Sequence, residues 1–314
     1  MRERNNLLGI GYTILHALAV PLIYVMVKHL TNEMQTSHVV FFYKFALLIL
    51  ITPWIFQNGL SILKTNKIHL HLIRAILSTV GSICVLQAVK EIGIIDVTAV
   101  TYLENVLIVF IGMTIYKEEA SYIKISSIIL SCIGMLIILY PDLLSVSFKE
   151  IKIDTGVLST IKKEHAILLI GVTMQLLNWM VIKKIGNTDS NYQQLFYITF
   201  LSSITSFFAA FVDIGQDLSV QFKNFNVAIS WNQAIVIIAI ALCYLLHIVS
   251  IFKAFQSAEM STVAPFDYTR LIFSGIYGAI FFDQIPQYQS YVGYIFITIS
   301  GIALIKAHGI KSHK

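Results

Sequence analysis

Asp267 and Arg270 stand three residues apart in a run that is otherwise apolar from Ser261 to Phe282. In hydrocarbon a charged side chain costs roughly 2.5–3.5 kcal/mol on insertion scales, so such groups face protein or water rather than lipid. At this spacing the two are neighbours on one helical face, which Ser274 extends four residues later. A carboxylate beside a guanidinium can receive a ligand ammonium and, by bidentate contact, a ligand carboxylate. The competing role is a permanent ion pair that only joins helices. Buried pairs scarcely repay their desolvation, so stability alone is a weak reason to keep one.

Further polar groups recur at helical spacing inside apolar runs. Gln175, Asn178 and Trp179 share one face, Tyr244 and His247 another, and Thr13, His16 and Tyr24 mark the first run. Gln87 and Lys90 end the third. Singly, each reads as an interhelical hydrogen bond of about 0.6 kcal/mol. Together they outline a polar cavity in which Trp179, Tyr24 or Tyr244 stacks a ligand ring or cation. Lys44 lies early in the second run, where its stem can snorkel toward an interface. Pro21 and Pro265 remove backbone hydrogen bonds and mark candidate kinks. Ser126/Gly134 and Gly293/Gly301 read as close helix packing. Cys84, Cys132 and Cys243 lie in apolar runs without a paired spacing, and His69 and His71 read as interfacial. No disulfide framework, metal site or cofactor is therefore expected.

The elements that must position these groups follow from composition. Of 314 residues, 57% are hydrophobic and 12% charged, about half the charged fraction of a soluble domain. That places the chain among polytopic membrane proteins. The net charge of +5 then reports membrane topology and does not point to nucleic acid. Ten apolar runs of spanning length occur: 7–27, 39–56, 70–89, 97–116, 123–140, 166–182, 195–212, 231–252, 261–282 and 288–305. The start, MRERNN before an apolar run, mimics a signal peptide, but the run's length favours a retained first span. The inner connections hold most Lys and Arg when the N-terminus is cytoplasmic, so both termini are expected inside.

The polar connection 141–165 divides the spans into two sets of five. VTAVTYLENVLIVFIGMTIY from Val97 aligns with VAPFDYTRLIFSGIYGAIFF from Val263, superposing Tyr102 on Tyr268 and Gly112 on Gly278. Glu118 then falls near Asp283, and Gly134 near Gly301. Five spans per copy force opposite orientations, the inverted repeat of secondary transporters. The expected fold is an all-α polytopic membrane protein. Its ten transmembrane helices form two inverted five-helix repeats, residues 7–140 and 166–305, joined by the 141–165 loop. Glu104 becomes the counterpart of Arg270, so an acid and a base are expected to flank one cavity.

Ala254 followed by APFDYTRL, the FFDQIP turn and then Gly293 and Gly301 resemble the closing pattern of the drug/metabolite transporter superfamily, in its ten-helix EamA-like branch. HLIRAILSTVGSICVLQAVKEIGIIDVTAV, with Arg74 opening the third span, is the first-half parallel. The resemblance covers nearly the whole chain. It implies a carrier of small metabolites in the bacterial inner membrane, working by exchange or with a coupled ion. S-adenosylmethionine uptake carriers of intracellular bacteria share the pattern around Pro265–Leu271. The family often has proline near the position of Asn105, which TYLENV lacks, and Glu104 is unusual there. A relative's substrate therefore does not simply transfer.

The expected substrate is a zwitterionic or mixed-charge metabolite, amino-acid-like or S-adenosylmethionine-like. Its expected binding residues are Glu104, Asp267, Arg270, Tyr268, Gln175, Asn178, Trp179, Tyr244, His247 and Tyr24. The alternative is a proton-coupled exporter of lipophilic cations, in which Asp267 or Glu104 titrates. No nucleophile–base set, metal cluster or nucleotide loop is present in the sequence, so neither an enzyme nor direct ATP drive is expected. Direction of transport and oligomeric state are left open by these residues.

Overall fold

A computed structural model describes residues 6–58, 63–104, 107, 110–111, 122–139, 163–185, 189–214, 220–222, 228–257 and 266–309. Ten helices occur among the described residues, one on each expected span. They are α1 (Asn6–Leu30), α2 (Thr36–Asn58), α3 (Ile68–Glu91), α4 (Ile94–Thr101) and α5 (Tyr122–Leu139) in the first half. The second half supplies α6 (Lys163–Ile185), α7 (Asn191–Ala209), α8 (Trp231–Ser257), α9 (Thr269–Phe282) and α10 (Tyr288–Gly309). By length and composition α1, α2, α3, α6 and α8 suffice to cross a membrane. Local sequence sets the helix starts. Ser190 accepts from the Gln193 backbone while Gln193 returns a side-chain bond, a capping box that opens α7. Ser230 and Gln233 repeat this exchange before α8.

The helices gather into two compact units that are not the two sequence halves. One comprises Met1–Val25, Ile92–His165 and Leu246–Lys314. Within it α5 packs along α10 and α9 against α4. Gly134 and Gly293 let α5 and α10 approach closely: a Cβ on Gly293 would lie 2.6 Å from the Gly134 carbonyl oxygen. Ser300 donates to the Ser127 carbonyl nearby. The other unit comprises Met26–Glu91 and Ala166–Leu245, with α7 packed on α2 and α3. Leu47, Ile51 and Ile55 of α2 bury against Ala241 of α8, and Gly171 of α6 closes on Cys84 and Val85 of α3. Three of these contacts, α5 with α10, α4 with α9 and α2 with α7, join helices that hold the same ordinal place in each half.

Several expectations need correction. The ninth span is not one unbroken helix where it is described, because residues 266–267 are helical, Tyr268 is a turn and α9 begins at Thr269. The fourth span breaks in the same way: α4 ends at Thr101, Tyr102 is a turn, and 103–104 are helical again. Lys44 does not snorkel. It is the ninth residue of the Thr36–Pro53 apolar window and 4% exposed. His71, the fourth residue of α3, is fully buried, 2.8 Å from Asp189 in the connection between α6 and α7. Pro21 sits inside α1, which continues through it to Leu30. A short antiparallel pair, β1 (Val212–Ile214) with β2 (Val220–Phe222), lies between α7 and α8. Pro265, Asn105, Gly112, Glu118 and the bulk of the 141–165 loop lie outside the described residues.

The Gly134–Gly293 approach supplies a test. Gly293→Ala drives a methyl into backbone that cannot move aside cheaply, at an overpacking cost of about 1–3 kcal/mol. Gly11→Ala meets nothing within 4 Å and should be neutral or mildly stabilising, since alanine suits a helix better. Thermal unfolding of the two variants in detergent should separate them in that order.

Candidate functional site

The break at Tyr268 presents Asp267 and Arg270 on either side of a turn instead of within one continuous helix. Arg270 Nη2 lies 3.5 Å from Asp267 Oδ2. That is well beyond the 2.7–2.9 Å of a tight charge-assisted hydrogen bond. On its other side Asp267 Oδ1 is 3.2 Å from His16 Nε2 of α1, close but not aligned as a hydrogen bond. His16 in turn stacks on His247 of α8, ring centroids 4.4 Å apart and planes 24° apart. The Asp267 and Arg270 side chains are 21% and 15% exposed. They are therefore neither sealed into a core nor laid on a surface.

Tyr102 organises the cluster. Its hydroxyl donates to the Asp267 carbonyl at 2.7 Å and accepts from Arg270 Nε at 3.2 Å. The guanidinium carbon also lies 4.5 Å from the Tyr102 ring centroid, a cation–π contact worth about 2 kcal/mol when desolvated. The Tyr102 ring stacks on Tyr268 at 4.6 Å and 22°. Thus the two residues that interrupt α4 and α9, matched in the repeat alignment, meet face to face. Tyr268 has room because Gly301 of α10 has no side chain: a Cβ there would coincide with the phenol. Ser274 does not extend the binding face. It is fully buried, bonded to Thr98 and to the Arg270 carbonyl. Tyr24 lies within electrostatic range of Arg270. Glu104 is partly buried two residues beyond Tyr102, while the carboxylate within ion-pair distance of Arg270 is Asp267.

Tyr244 and His247, expected to act together, serve different units. His247 joins the His16–Asp267 cluster, whereas Tyr244 packs on Tyr43 of α2 with centroids 5.6 Å apart. In the second unit Gln175 of α6 lies against Gly81 of α3, and Asn178 Nδ2 reaches Gln175 Oε1 at 3.4 Å. Asn178 Oδ1 is buried with no hydrogen-bond partner among the described residues, and Trp179 is half exposed. The same unit holds Lys44, whose ammonium donates to Thr79 Oγ1 at 3.2 Å. Arg74 sits 3.4 Å from both the carbonyl and the side-chain oxygen of Gln194. His16 and Tyr102 are participants that were not among the expected binding residues. Helical spacing marked His16, and only the repeat alignment marked Tyr102.

The hydroxyl of Tyr102 and that of Ser274 should differ in weight. Tyr102→Phe keeps the ring stack but strips a buried carbonyl and a guanidinium nitrogen of their partner, a loss of about 1–3 kcal/mol. Ser274→Ala leaves Thr98 its bond to the Ile94 carbonyl and should cost about 0.6 kcal/mol. Thermal unfolding in detergent would report a larger drop for Tyr102→Phe.

Comparison with known proteins bears on the chain's class. Residues 7–140 match the EamA-like transporter family. An S-adenosylmethionine uptake transporter of Rickettsia felis is 19% identical over 302 residues, covering 96% of this chain and 94% of that one. The corresponding Rickettsia prowazekii protein gives 19% over 302 residues, again 96% and 94%. A pseudopaline exporter of Pseudomonas aeruginosa is 19% identical over 296 residues, covering 94% and 95%. One kind of relative is named for uptake and another for export. By this match residues 7–140 resemble an EamA-like transporter domain, and over nearly its whole length the chain, with its ten apolar helices, is similar to multi-pass membrane transporters and not to enzymes.

Proposed function

We propose that this transporter is a secondary carrier for a zwitterionic or mixed-charge metabolite, amino-acid-like or S-adenosylmethionine-like, in a bacterial inner membrane with both termini cytoplasmic. The reading is carried by the open Asp267–Arg270 pair, 3.5 Å apart beside the stacked Tyr102 and Tyr268. A ligand carboxylate replaces Asp267 on Arg270, a ligand ammonium or sulfonium takes Asp267, and the tyrosines provide a flat wall for a ring. The Rickettsia relatives named for S-adenosylmethionine fit that chemistry. Glu104, Tyr24 and His247 complete the charged surroundings, and Gln175, Asn178, Trp179 and Tyr244 contribute polar and aromatic contacts. Coupling is to an ion or to an exchanged metabolite.

A second reading has one specific support. His16 approaches the Asp267 carboxylate at 3.2 Å and stacks on His247, a set of groups able to take up and release a proton. In a proton-coupled exporter of lipophilic cations, Asp267 titrates and Arg270 tunes it.

Uptake of labelled S-adenosylmethionine and amino acids by cells expressing the chain separates the two. A zwitterion site needs both charges, so Arg270→Ala and Asp267→Asn should each abolish uptake while membrane insertion persists. Uptake retained in Arg270→Ala would remove the carboxylate-binding role. A flat uptake panel with resistance to cationic dyes, tolerant of Arg270 loss, would favour the exporter.

A further inference from the structure

Asp267 is the meeting point of three basic side chains, all within one compact unit. Arg270 Nη2 stands 3.5 Å from Oδ2, and His16 Nε2 stands 3.2 Å from Oδ1. The His247 ring stacks on His16 with centroids 4.4 Å apart. Oδ1 is buried and has no aligned hydrogen-bond donor among the described residues. One carboxylate oxygen therefore answers the guanidinium, and the other is an acceptor seat beside an imidazole.

Both nitrogens of that imidazole face oxygen. Nε2 is beside Asp267 Oδ1, and Nδ1 lies 3.4 Å from the His247 carbonyl oxygen. A neutral ring donates from one nitrogen only, whereas an imidazolium donates from both. Either neutral tautomer sets a lone pair against the carboxylate or the carbonyl, so the two contacts together suit the protonated ring. Like charges in contact disfavour one another, so the His16–His247 stack has room for one proton. His16 is the ring with the carboxylate at 3.2 Å, while His247 has Arg270 within electrostatic range. The other charged and titratable groups nearby gather about Arg270 or further along α1. Tyr102, with Glu104 two residues beyond it, and Tyr268 lie at the helix breaks. Tyr24 is within electrostatic range of Arg270, and Tyr12 lies under Lys253 of α8. Arginine keeps its proton in proteins, and Asp267 balances that constant charge. An imidazole is the group whose charge can change in the physiological range without breaking that balance.

We propose that His16 carries the proton to which transport is coupled, and that the ligand's cationic group expels it by taking Asp267 Oδ1. The proposal rests on the carrier reading above and names its coupling ion. In the empty site the His16 imidazolium sits against Asp267 Oδ1. When a ligand cation occupies that oxygen, the Nε2 proton passes to water and the ring keeps Nδ1–H on the His247 carbonyl. One positive charge replaces another at Asp267, which remains a carboxylate throughout, whereas in the exporter reading it titrates. Ligand and proton occupy the site in turn, which makes the carrier an exchanger of the two.

The test is nuclear magnetic resonance of the purified full chain in detergent with isotope-labelled histidine rings, the His16 signal being the one lost in His16→Gln. At about pH 5.5, where imidazoles are ordinarily protonated, the empty protein should show His16 as an imidazolium. Saturating methionine or S-adenosylmethionine should turn it into the neutral ring, and Asp267→Asn should do so with no ligand present. Affinity for methionine, read by thermal unfolding, should strengthen by up to about tenfold per unit as pH rises through the imidazole range, because the competing proton is lost. In His16→Gln that dependence should vanish. A His16 ring already neutral in the empty protein at the acid pH overturns the proposal. So does an imidazolium that persists in Asp267→Asn, or a wild-type methionine affinity blind to pH. The wild-type pH comparison stands even where a variant fails to fold. If neither ligand raises the midpoint at any pH, the proposed substrates fall, and the empty-protein signal with Asp267→Asn still decides whether His16 holds the proton.

Discussion

The bond from the Tyr102 hydroxyl to the Asp267 carbonyl joins two helices at the places where each has lost its regular backbone hydrogen bonding. In a bilayer a broken helix is tolerated only where protein or cavity water satisfies the freed groups. Here the tyrosine at the break in the fourth span satisfies a carbonyl beside the break in the ninth. The same hydroxyl then receives Arg270, and the ring supports the guanidinium from below. Removing the tyrosine would leave the interruption at Tyr268 without its partner and Arg270 without its platform. The further constraint is Gly301, whose missing side chain is the space Tyr268 occupies. Backbone irregularity, charge placement and α10 packing are thus one problem with one solution.

Gross architecture could be read directly from the chain because hydropathy is a local property. Each of the ten apolar runs holds a helix among the described residues, and caps such as Ser190 and Ser230 fix where α7 and α8 begin. The pairing of charges could be read in part: the three-residue spacing sets Asp267 beside Arg270, as found, while the tyrosine hydroxyl that also meets the guanidinium was not marked by spacing. An alignment equates positions and does not say which way a side chain turns at a helix break. Lys44 shows the complementary difficulty. A lysine near the start of an apolar run reads as a snorkelling stem, but α2 begins at Thr36, which puts residue 44 at mid-span. The partner of His71 was hidden in another way, since Asp189 lies 118 residues along the chain.

The grouping of helices was also hidden from a linear reading. Spans adjacent in sequence need not share a compact unit: α3 and α4 are separated by Ile92 and Gly93 alone and fall in different ones. Each unit instead draws helices from both halves, with α4 beside α9 and α5 beside α10 in one, and α2 beside α7 in the other. Like-numbered helices meeting in this way is what a two-fold relation between halves would produce. The close contact of Gly134 and Gly293 follows from small residues on both sides of the α5–α10 packing.

A carrier must release what it binds, and this limits how strongly its charges can be satisfied in the empty state. A tight bidentate pair would demand that a ligand break an optimised bond. A wholly unpaired charge would bind its ligand too well and cost too much when vacant. The Asp267–Arg270 contact at 3.5 Å lies between these limits. Buried ion pairs come close to balancing Coulomb gain against desolvation, so exchanging Asp267 for a ligand carboxylate on Arg270 changes the total little. In the proposed carrier, the loose contact of Arg270 with Asp267 is the property that keeps the bound state shallow enough to leave.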